Sequence, residues 1–151
     1  MSDRKDLIAS LANELGDFVK IAEDALKEIE ADLIGNKEKF SIFSEKMFTI
    51  RGAAQQLELP EIKEIAGLAE EIGIKAQLAD KKPQIRKCVG ALWDALTTVK
   101  YLLINHESET SEEQDILKNR LNKTLEALGG ARETFSPDDI MKMLEDRDSD
   151  D

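Results

Sequence analysis

Apolar residues recur at steps of three and four through nearly the whole chain, and no stretch alternates β-branched with polar residues. That period matches one face of a helix turning about 100° per residue and leaves nothing to pair as a strand, so the chain reads as all-α. The first helix is expected over residues 5–34, with Leu7, Leu11, Leu15, Phe18, Ala22, Ala25, Ile29 and Leu33 on its inner stripe. Gly35 and Asn36 then end it, the glycine supplying a left-handed cap. The second, over residues 37–57, has the cleanest period: Phe40, Phe43, Met47, Ile50, Ala54 and Leu57.

Pro60 opens a third helix, where its missing N–H would go unbonded anyway. Ile62, Ile65, Ala69, Ile72 and Ala76 make that helix's inner face. DKKPQ turns the chain into a fourth helix over residues 84–105, burying Ile85, Val89, Leu92, Leu96, Val99 and Leu103. Ser111 and Gln114 form a capping box ahead of a fifth helix that carries Leu117, Leu121, Leu125 and Leu128 up to Gly129 and Gly130. Short connections favour antiparallel neighbours, which predicts an up-and-down four-helix bundle with the fifth helix packed at one end. Residues 5–130 form the expected bundle. Residues 131–151 form an acidic tail with a short helix at about 137–145, Ser136 being its N-cap and Ile140, Met141 and Leu144 its greasy side.

A formal net charge of -11 argues against nucleic acid or an anionic membrane as partner, since both would repel this surface. No apolar run approaches the ~18 residues of a membrane span, and MSDRKDLIAS lacks the apolar centre of a secretory signal. The lone Cys88 cannot close an internal disulfide, which suits the cytoplasm, and it is expected as a small core residue. Carboxylates abound without His or Cys at ligand spacing, so no metal site is expected. No cofactor and no small-molecule substrate are expected either.

The informative stretch is MFTIRGAAQQLEL, residues 47–59. With Met47 at the centre of the buried stripe, Phe48 falls well off it, on the side of Ser41, Glu45, Gly52 and Gln55, with Arg51 at the boundary. A large aromatic on a polar helix face is an exception that asks for a reason. Gly52 is another, because glycine inside a helix costs ~1 kcal/mol relative to alanine. Close packing or the approach of a partner would offset that.

The segment F-T-I-R-G-A-A-Q-Q-L resembles the histidine phosphotransfer (HPt) motif, H-x-x-K-G-x-x-x-x-L. Over roughly residues 6–130 the order and length of the helices are most similar to the phosphotransfer domain at the N-terminus of the chemotaxis histidine kinase. The resemblance implies an exposed phospho-accepting histidine at position 48, a cation at Arg51 that steadies the phosphoryl group, and at Gly52 room for a receiver domain. Phe48 departs from it decisively, having no nucleophilic nitrogen. Glu58 departs too, standing where the family usually has glycine, which implies a drifted helix end. The only histidine, His106, lacks the following cation and glycine and sits among acids, so it reads as a solvated helix-end residue favoured by the dipole.

The resemblance therefore implies a catalytically silent signalling module, not an enzyme, that binds a receiver domain or a histidine kinase. Its expected docking face is Ser41, Ser44, Glu45, Phe48, Arg51, Gly52 and Gln55. Phe48 either anchors that partner or covers the edge of the third helix within the bundle. Two alternatives stand beside this reading. Gln55 could orient water in a phosphatase of receiver aspartyl phosphate, although the acid that such motifs place one turn earlier is replaced by Arg51. The bundle could also serve as a scaffold or dimerisation protein outside phosphorelay.

Overall fold

The computed structural model describes residues 2–105 and 112–129, with side chains from residue 6 onwards. Among these residues there are five α-helices and no strand: α1 (Ser2–Ala31), α2 (Phe40–Gln56), α3 (Pro60–Ala76), α4 (Lys82–Ile104) and α5 (Glu112–Ala127), with a 3-10 turn at Lys37–Lys39 ahead of α2. The fold class is all-α, as the period implied. Helix α1 packs on α2 and α4, α2 on α3, and α3 on α4, which closes a ring of four. Inside the ring sits one continuous apolar core, with Leu26, Ile29, Phe40, Phe43, Met47, Ile50, Ile65, Ile72, Ile85 and Leu92 fully buried. The expected inner faces of α3 and α4 are all buried, as is that of α2 apart from a half-buried Leu57.

Four expectations are corrected. On α1, Leu7 is exposed and Ile8 is buried in its place, so the stripe enters the core one residue later along the wheel. The helix also stops at Ala31, short of residue 34. Gly35 is not left-handed. Its N–H donates to Asp32 Oδ1 at 2.9 Å, and an added Cβ would overlap that carboxylate, so glycine serves close approach there. Asn36 completes the ending by donating from Nδ2 to Glu28 O at 2.8 Å.

The fourth correction concerns α5, which runs along the α3–α4 pair instead of sitting at one end. Lys118 holds it to the start of α3 through Glu61 at 3.1 Å and Glu64 at 3.4 Å. Burial opposes the charge on Lys118, but the two carboxylates outweigh that and hold its pKa above the ordinary lysine value. Arg120 pairs with Asp94 of α4, and Gln84 at the start of α4 donates to Ala127 O at the end of α5. The Ser111 end of the capping box, His106 and the tail helix lie outside the described residues.

Candidate functional site

The site grows from one close approach between α2 and α3. Gly73 is buried, and a Cβ there would overlap Ser44 Oγ, so only glycine lets the two backbones come this near with Ser44 in place. Ser44 Oγ uses the proximity to donate to Glu70 O at 3.1 Å. The same registry brings the Glu70 carboxylate to Arg51, whose Nε donates to Glu70 Oε1 at 2.9 Å. Both side chains are largely shielded, 26% and 14% exposed, so this pair is screened less than one free in solvent. Arg51 in turn lies with its guanidinium carbon 5.1 Å from the centre of the Phe48 ring, a cation–π distance.

Phe48 itself remains 57% exposed. It therefore does not seal the edge of α3, and of the two roles weighed for it the internal one is left without burial to support it. On the next turn Gly52 is exposed, and an added Cβ would meet nothing within 4 Å. No packing among the described residues requires glycine at that position. Ser41, Glu45 and Gln55 are exposed on the same side of α2, Ser41 Oγ donating to Glu38 O at 2.8 Å.

Ser44 is the expected site residue that the structure removes. It is 6% exposed and committed to Glu70, because α3 passes directly over it. In exchange α3 contributes two residues that the motif did not suggest. Glu70 neutralises Arg51, and Ile74, one turn further on the same side of α3, is 51% exposed. Ile74 is two positions from the buried Ile72 and so points away from the core. The wheel argument that singled out Phe48 would have found it. Glu70 carried no such signal, since one more acid on an acidic helix is unremarkable.

Chemically the surface is aromatic and aliphatic around a compensated ion pair. Nothing at position 48 can accept a phosphoryl group, and the charge of Arg51 is already matched by Glu70. Among the described residues no group of His, Cys, Asp and Glu is arranged to hold a metal ion. Cys88 is buried away from this face in α4, and burial pushes its thiol pKa up to about 11 against a partial offset from a backbone hydrogen bond, which leaves it a poor nucleophile. No described helix is long and apolar enough to cross a membrane. No family model matches the chain, and no match was found among curated proteins or solved structures.

Proposed function

We propose that this chain is an HPt-like module that has lost transfer and kept recognition, binding a receiver domain or a histidine kinase through the exposed side of α2 and α3. The ring of α1 to α4 is then the family's up-and-down four-helix bundle, with α5 as an addition. One observation carries the reading: Gly52 sits in the interior of a helix, beside an exposed phenylalanine, with no contact among the described residues that demands a glycine. A helix bears that loss of about 1 kcal/mol most readily where another backbone must come close. The backbone at Glu58 adds support, since its φ of 57° is the conformation that the family's usual glycine would adopt freely. Phe48 would be the apolar anchor, with Arg51 held against its ring by Glu70. The phosphatase alternative gains nothing comparable, because one turn before Gln55 stands Arg51, already engaged by a carboxylate.

The test is titration against a panel of receiver domains and histidine kinases. At least one should bind, and Phe48→Ala should weaken it by ~1 kcal/mol or more with the fold intact. Gly52→Ala is the sharper variant: it should raise folding stability by up to ~1 kcal/mol while weakening the complex. Binding that both substitutions leave unchanged would sink the docking face. No binding by any member, together with a stable dimer, would favour a scaffold instead.

A further inference from the structure

A groove of about 580 Å³ runs between α4 and α5, and no residue of α2, the helix of Phe48, is among the described residues that line it. Lys87, Arg120 and Lys123 line it, together with Ile116, Leu128 and the buried Cys88. Of the described residues that line it none is acidic, a sharp local reversal in a chain of net charge -11. Arg120 already holds Asp94, whereas none of the described residues pairs with Lys87 or Lys123. Ile116 is 61% exposed at one end of the groove, so the surface offers apolar contact as well as positive charge.

We propose that the occupant of this groove is the chain's own segment 131–151, folded back in cis. That segment carries eight acidic residues against three basic ones, and its apolar side chains Ile140, Met141 and Leu144 recur at helical spacing. Charge and apolar character therefore match the groove on both counts. Position matches as well. Helix α5 ends at Ala127, Leu128 is part of the groove wall, and Gly129 at φ 99° breaks the helical path, so the segment departs from the groove's own end. From Leu128 back to Ile116 is about 18 Å at 1.5 Å per helical residue. An extended chain at ~3.3 Å per residue covers that with fewer residues than the segment has. Tethering at one end supplies an effective concentration of order mM, which lets a weak charge-matched contact form where a free acidic peptide would not compete.

The experiment uses the full chain with a nitroxide on Ser149→Cys in a Cys88→Ala background, and reads paramagnetic broadening of backbone amides. Broadening should concentrate on residues 84–88 and 116–128 and spare Phe48 and Gly52. It should survive dilution of the labelled chain with unlabelled chain. Lys87→Glu with Lys123→Glu should weaken docking roughly tenfold, as two attractive exposed pairs become repulsive ones. Raising salt to about 1 M, where screening reaches ~3 Å, should act in the same direction. Both lysines are exposed, and an unchanged circular dichroism spectrum would certify the fold of the variant. Broadening that is diffuse, that maps to α2 and α3, that vanishes on dilution, or that ignores the charge reversal would overturn the assignment. Vanishing on dilution would point to a second copy as the occupant.

Discussion

At position 58 a glutamate holds a φ of 57°, where its Cβ crowds the following carbonyl at about 1–2 kcal/mol. It stays there because it closes α2: Leu59 N–H reaches back to Ala54 O at 2.8 Å, and Leu57 N–H to Ala53 O at 3.1 Å. Glu58→Gly should therefore raise the unfolding free energy by about 1 kcal/mol, less the greater freedom that glycine gives the unfolded chain. Chemical denaturation would measure it, and a loss of stability would show that the Glu58 side chain contributes more than its backbone costs. The residue where the period misled was Ser44. On the α2 wheel it lies beside the exposed side, and only Gly73 on another helix brings a backbone close enough to cover it. No pattern internal to α2 encodes that. The exposure of Phe48, Gly52 and Gln55 was legible because it depends on α2 alone, whereas the pairing of Arg51 with Glu70 needed α3.

Between elements, α5 is attached through Leu117, Leu121 and Leu125 and through the grip of Lys118 on Glu61 and Glu64. Glu61 Oε2 is buried with no hydrogen-bond partner among the described residues, and its other oxygen accepts from Lys118. Lys118→Ala would strand that carboxylate at a cost of about 1–3 kcal/mol. Faster amide hydrogen exchange confined to α5 would reveal it; unchanged protection there would mean that the leucines suffice. Alkaline pH should act on the same region. The Cys88 thiol keeps its proton in the folded chain to about pH 11 but loses it near 9 when unfolded, so stability falls as pH rises through that window. Lys118 has a raised folded pKa, so its contribution is whole below 10.5 and is lost as pH rises from there through the higher folded value. Thermal melts from pH 8 to 11 should therefore decline, and less steeply for Cys88→Ala. The side-by-side lie of α5 was not readable from sequence, because its apolar stripe fixes which face is buried and not which groove receives it.

Across the whole molecule the net charge of -11 and the local ion pairs respond to salt with opposite signs, and distance decides which wins. The pairs that hold the fold are short, Arg51 to Glu70 at 2.9 Å and Lys118 to Glu61 at 3.1 Å. The excess negative charge is spread over a surface whose longest helix, 30 residues, spans about 45 Å. In 10 mM salt the screening length is ~30 Å and these distant carboxylates repel one another; at 0.15 M it is ~8 Å, which silences them while leaving contacts of a few ångströms largely intact. Folding gathers the like charges closer than the unfolded chain does, so relieving their repulsion favours the folded state. The melting temperature should rise between those two salt concentrations by about 2–4 °C, the effect of ~1 kcal/mol in a chain of this size. Docking of the acidic segment onto Lys87 and Lys123 should weaken over the same titration, because those cations are exposed and act through solvent. A melting temperature that fell with added salt would mean that the short pairs outweigh the general repulsion, and that the acidity of this chain is better matched within the fold than its net charge implies.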